Sequence, residues 1–207
     1  MKKILAIMLA FAMLLSFTGC TESGGESVTE VITVTPARGT VSDGIYKNTA
    51  FGVSFEAGEN WYFLTDAEIA QAMGVAAETI YGEDAEITGD HIYDLYCVEN
   101  STNGTVSINY ENLGTIGEMT DANYYLETVM TQLLSTGTDS GIVDAIISNI
   151  KIGETEVPCL SIVLNYSGME IYQKVIVKQV GTWMSTITMA SLSEDELSEL
   201  VGKISFE

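Results

Sequence analysis

The stretch from residue 146 to residue 189 restricts the fold more than any other part of the chain. It holds four runs with strand character, at 146–152, 159–166, 170–180 and 183–189. Gly153-Glu154, Ser167-Gly168 and Gly181-Thr182 interrupt them. Two-residue connections suit β-hairpins, and glycine in first place suits a type II′ turn. Strands joined this tightly run antiparallel. An antiparallel meander is therefore the expected centre of the fold.

Shorter strands are predicted upstream, at 45–47, 51–55, 61–64, 91–98 and 105–110. In the second, Phe51, Val53 and Phe55 share one face. Val106, Ile108 and Tyr110 alternate with Ser107 and Asn109, the pattern of a half-buried strand. Three helices are expected. Thr65-Asp66-Ala67-Glu68 has the form of a capping box and opens a helix carrying Ile69 and Met73, with Gly74 at its end. Thr120 is the expected N-cap of a helix over 121–135. Leu126, Val129, Met130, Leu133 and Leu134 form its apolar stripe, with Gly137 placed to close it. Ser193-Glu194-Asp195-Glu196 repeats the capping pattern before Leu197, Leu200, Val201 and Ile204. Helices with one apolar stripe must cover a sheet, so the fold class is α+β, an antiparallel β-sheet flanked by α-helices.

The opening Tyr46-x-Asn48-x-x-Phe51-Gly52-x-Ser54-Phe55, followed by Trp61, resembles the start of PsbP/Mog1-like domains. The similarity runs over residues 44–207. The usual Pro before Gly-Trp is missing, since the chain reads Glu56-Ala57-Gly58-Glu59-Asn60-Trp61. The resemblance implies a binding or assembly subunit and carries no functional residue across.

The N-terminus reads differently. Lys2 and Lys3 precede an apolar run of 13 residues, 4–16, and Phe17-Thr18-Gly19-Cys20 follows. Thirteen residues are too few to span a bilayer core and suit a secretory signal. The segment resembles the bacterial lipoprotein signal, whose lipobox ends in Gly-Cys; Phe17 stands where Leu is usual. The resemblance implies a signal peptide over 1–19, diacylglycerol on Cys20, and an extracytoplasmic domain attached to the cell membrane through that lipid. Residues 20–43, rich in Gly, Ser, Thr and Glu, are expected to be the lipidated Cys and a flexible linker before a single domain at 44–207.

Charge narrows the function. The chain has 8 Lys+Arg against 29 Asp+Glu, a net −21. Removing 1–19 removes two bases and no acid, leaving six against 29, a net −23. No basic face can be assembled for nucleic acid. His91 is the only histidine, so a hydrolase would have to use it. Gly-x-Ser-x-Gly is absent, and alternation places His91 and Asp94 on opposite faces of one strand. The acidic loop 82–90 offers carboxylates to calcium but lacks the twelve-residue ligand pattern. Cys97 and Cys159 are the remaining thiols. Export permits a disulfide between them, while strand positions equally suit small buried side chains. Aromatic residues raise a carbohydrate platform, with Tyr124-Tyr125 the adjacent pair on a helix, against the simpler reading of core packing. The expectation is a non-catalytic envelope lipoprotein with no cofactor and no metal, whose domain binds another envelope protein or supports an assembly. The alternatives are a domain for a carbohydrate, peptide or cation, or a hydrolase built on His91.

Overall fold

A computed structural model describes residues 35–74, 90–117, 119–135 and 141–207. The signal segment, Cys20, residues 82–89 of the acidic loop and Gly137 lie outside the described residues. In chain order the elements are β1 (Thr40–Ser42), β2 (Ile45–Asn48), β3 (Val53–Glu56), β4 (Trp61–Phe63), α1 (Asp66–Met73), β5 (His91–Glu99) and β6 (Thr105–Asn112). Then come a short α2 (Gly114–Gly117), α3 (Ala122–Ser135), β7 (Ile142–Ile152), β8 (Thr155–Tyr166), β9 (Met169–Val180), β10 (Trp183–Ser191), α4 (Glu194–Val201) and β11 (Ile204–Phe206).

The strands form two antiparallel sheets. The larger has the order β4-β5-β6-β10-β9-β8-β7, and the smaller β1-β2-β3-β11. The predicted meander is thus present as β7 to β10. Ser167 and Gly168 both have positive φ, 52° and 86°, so their hairpin is of the I′ kind. Gly181 alone is positive in the next turn, at 62°, as a II′ turn requires. Strand β8 starts four residues earlier than its apolar run, through Pro158. Proline is tolerated there because β9 pairs with β8 only from Cys159 onward.

Both faces of the large sheet are covered. On one lie the small sheet and α4, closing a core of Phe51, Phe55, Ile108, Tyr110, Ile176 and Leu197. On the other lies α3, whose Tyr125, Leu126, Val129 and Leu133 pack on Leu160, Val175 and Met184. Helix α1 covers Tyr96 and Val98 at the β5 end.

Several expectations change. Asp121, not Thr120, caps α3, accepting the Tyr124 N–H at 2.8 Å. Leu134 leaves the stripe, 54 % exposed, and Tyr125 takes a place in it. Ser193 caps α4, but Glu196 turns to the Ser191 hydroxyl at 2.7 Å, so this capping box is half made. Ile204 is not helical: β11 pairs it with Phe55. The linker boundary also moves. Residues 37–43, expected to be flexible, belong to the fold, because β1 pairs with β2 and Arg38 and Gly39 reach the buried Asp94.

Cys97 and Cys159 are free, buried thiols. Strands β6, β10 and β9 lie between β5 and β8. Four strand spacings of about 4.8 Å put the two residues roughly 19 Å apart, far beyond bridging distance. Burial pushes both thiols up from their ordinary range. Neither should react with a thiol reagent in the native protein. In urea, two thiols per chain are expected if Cys20 carries lipid, and three if it does not.

Candidate functional site

Asp94 is the most completely enclosed acid described. It occupies a β-bulge, where the β5–β6 register shifts between Tyr93 and Leu95. A bulge re-aims a side chain, and here it directs a carboxylate into the core with none of its surface exposed. Five hydrogen bonds meet it. The Gly39 N–H donates to both oxygens, at 3.0 and 2.8 Å, and Tyr46 Oη donates at 2.6 Å. Asn48 Nδ2 donates at 2.9 Å and Arg38 Nε at 3.4 Å. Arg38 also binds Asp66 at the start of α1, at 2.8 Å. Tyr46 and Tyr110 share a hydroxyl contact of 2.9 Å. Burial, with Tyr110 and Asp94 adding to it, raises the Tyr46 phenol far above its ordinary value.

This cluster explains the aromatic motif physically. Asn48 donates to Asp94 and to the Ala37 carbonyl, and its Oδ1 accepts the N–H groups of Ala50 and Phe51. One amide therefore ties the N-terminal segment, the β2–β3 turn and the bulge together. Phe51 stacks on Tyr110 with ring centres 3.8 Å apart. Gly39 is required by close approach: a Cβ there would run into the Tyr46 ring. The cluster is internally satisfied, and its role is to fix the chain entering the domain.

His91 lies on the opposite face of β5, as alternation predicts. Its Nε2 is 3.2 Å from Glu111 Oε1, an ion-pair distance without hydrogen-bond alignment. Glu111 Oε2 accepts from Tyr125 Oη of α3 at 2.9 Å. The imidazole ring stacks on Tyr93. His91 thus meets a carboxylate and an aromatic face, which suits a side chain helping to seat α3. The sequence offers Tyr125 only as one of an aromatic pair; its contact with Glu111, which joins α3 to β6, is not legible there.

A cleft of about 240 Å³ opens between the Gly58–Trp61 turn, the loop after β5 and α4. Trp61, Glu99, Glu196, Glu199 and Lys203 line it. Lys203 Nζ lies 5.7 Å from the Trp61 ring centre. Glu99 is held by Ser101 and Thr102; burial opposes its charge, but these hydrogen bonds keep its pKa below the ordinary range. The cleft is smaller than the ~300–1,000 Å³ common for ligand pockets. Its polar groups are largely turned on one another. Among the described residues, no group of His, Cys, Asp or Glu is arranged to hold a metal. Of the tyrosine pair, Tyr125 is buried and Tyr124 is 61 % exposed, so the two do not form a platform.

The cations are used internally. Lys47 pairs with Glu207 at 2.6 Å, and Lys174 donates to Ser161 Oγ at 3.0 Å. Lys178 donates to the Gly52 carbonyl at 3.3 Å and lies over the Phe206 ring. With Arg38 and Lys203, five of the six bases beyond residue 19 are committed to contacts within the fold. Lys47 and Lys151 are the exposed bases among the described residues.

The outer edge of β7 is the longest unpaired strand edge described. It ends the strand order of the large sheet, and its 11 residues include one buried side chain, Ile152. Val143 is 62 % and Ile146 55 % exposed. The apolar run predicts β7 only over 146–152; its start at Ile142 and its place at the edge are set by pairing with β8.

No known protein family and no curated protein matches this sequence. Among solved structures it is similar to a Bacteroides thetaiotaomicron protein, with 13 % identity and a TM-score of 0.40, over 83 % of this chain and 48 % of that one. The chain thus spans about half the length of that protein. It is also similar to LpqN, involved in cell envelope biogenesis of Mycobacterium tuberculosis, with 11 % identity and a TM-score of 0.42 over 74 % of this chain and 82 % of that one. Likeness at this level bears on neither activity nor partner.

Proposed function

We propose that this protein is an extracytoplasmic lipoprotein, attached to the membrane through a lipid on Cys20, whose domain binds another protein of the envelope and catalyses no reaction. The observation that carries the attachment is the conjunction of Lys2-Lys3, the 13-residue apolar run and Gly19-Cys20. Two acyl chains on one cysteine give stable anchoring where a single chain does not. Among the described residues, no helix is long and apolar enough to cross a membrane. The binding role is supported by the long, partly apolar β7 edge and by a polar interior whose groups serve one another. The motif from Tyr46 to Trp61 supports a PsbP/Mog1-like domain: Tyr46, Asn48, Phe51, Phe55 and Trp61 are all buried.

The test is Cys20→Ser. The wild-type chain should sediment with membranes and take up labelled fatty acid. The variant should do neither and should appear in the soluble fraction. A variant that still sediments with membranes overturns the anchor.

A further inference from the structure

We infer that the outer edge of β7 is a strand-addition site for an extended, basic segment of the binding partner. This rests on reading the domain as a binding module, and it names the surface and the chemistry of what is bound.

Natural edge strands are kept short or are interrupted by charge, proline or a bulge. Strand β7 has its protection only at the ends. A register shift between Ile142 and Asp144 and the Asp144 carboxylate mark one end, and Lys151 marks the other. Between them, residues 145–150 read Ala-Ile-Ile-Ser-Asn-Ile, with no charge and no proline. Inner-edge backbone groups pair with β8. Those facing outward are offered, at alternate residues, to an added strand. Main-chain pairing supplies affinity in such complexes, and alternate side chains supply specificity. Exposed Val143 and Ile146 are available to an incoming apolar residue.

Charge selects the occupant. Asp144, Glu154 and Glu156 stand exposed around this edge against Lys151 alone. The whole chain beyond residue 19 carries −23, and five of its six bases already contact other groups of the same chain. A second copy would bring the same negative charge to the edge and be repelled. An apolar strand flanked by Lys or Arg is attracted instead, more strongly at low salt.

The full chain, purified in mild detergent, is mixed with ten-residue peptides that share an alternating Val-Thr centre. One has Lys at both ends, one has Glu at both ends, and one has Lys ends with a central Pro. Amide hydrogen exchange over 142–152 is the readout. The Lys-ended peptide should slow exchange at 145–150 by about tenfold or more, an effect weakened by salt, while the other two leave it unchanged. Ile146→Lys, a change at an exposed side chain, should abolish the slowing. The inference is overturned if no peptide slows exchange there or if the Glu-ended peptide does so equally. It is also overturned if protection rises with protein concentration alone, which would mark self-pairing. Failure here with Cys20→Ser still releasing the chain would remove the strand-addition site and leave the anchor standing.

Discussion

Replacing Asp94 with alanine is expected to destabilise the protein by about 3–5 kcal/mol, the range for breaking a buried charge network by removing one partner. The carboxylate is the common acceptor for Gly39, Tyr46, Asn48 and Arg38. Without it the Gly39 N–H and the Asn48 amide lose an acceptor in a site closed to solvent, and each unpaired buried group costs about 1–3 kcal/mol. Tyr46 keeps its contact with Tyr110, which limits the loss. Asp94→Asn, which retains one carbonyl oxygen, should cost less, on the order of 2 kcal/mol. Arg38→Ala should cost about 1 kcal/mol or less, because the guanidinium side chain is 31 % exposed and its pairing is screened. Urea unfolding of the three variants checks the order. A loss below about 1 kcal/mol for Asp94→Ala would show that the network adds little to stability.

Phe51→Ala should cost about 3–5 kcal/mol, from lost transfer energy plus the cavity left behind. Phe51 is 1 % exposed, stacks on Tyr110 at 3.8 Å and meets the edge of Trp183 at 5.6 Å. It joins the small sheet to the large one, so the cavity would open between two layers that cannot both close over it. Phe51→Leu keeps most of the volume and loses the ring contacts; about 1–2 kcal/mol is expected. Thermal and urea unfolding would distinguish these outcomes. Equal losses for the two variants would mean that ring stacking, more than volume, is what Phe51 contributes.

The meander and the long helix were legible because their signals are local. Two-residue turns fix antiparallel neighbours, and Leu126, Val129 and Leu133 fall at helical spacing on a side the structure buries. Phe51, Val53 and Phe55 were read as one face, and all three are in the core, although Phe51 lies in the turn before β3. What escaped depends on distant partners. Strand β1 is Thr-Val-Ser, three exposed residues without an apolar pattern, and it is held by β2. Arg38 and Gly39 sit in a polar stretch that composition marks as linker, yet they bind an acid more than fifty residues away. Ile204 continued the helical spacing of Leu197, Leu200 and Val201, but Gly202 ends the helix and Phe55 claims Ile204 for a sheet. Glu111 could not be recognised as buried from a strand pattern, because its cover is Tyr125 of α3. The free state of Cys97 and Cys159 followed from strand order, which no spacing in the sequence encodes.

The bulge at Asp94 also determines how the domain experiences a pull. Tension arriving along the N-terminal segment meets Gly39 and Arg38 before it reaches β1, and both are fastened to β5, the second strand of the large sheet. Force is therefore delivered into the seven-stranded body and bypasses the three-residue edge strand that would otherwise be peeled first. Breaking the junction requires the Gly39 and Arg38 bonds to Asp94 to fail along with the bond from Asn48 to the Ala37 carbonyl. On the proposed tether, a pull on the N-terminal segment would thus load β5 before it reached the β7 edge, at the opposite side of the sheet.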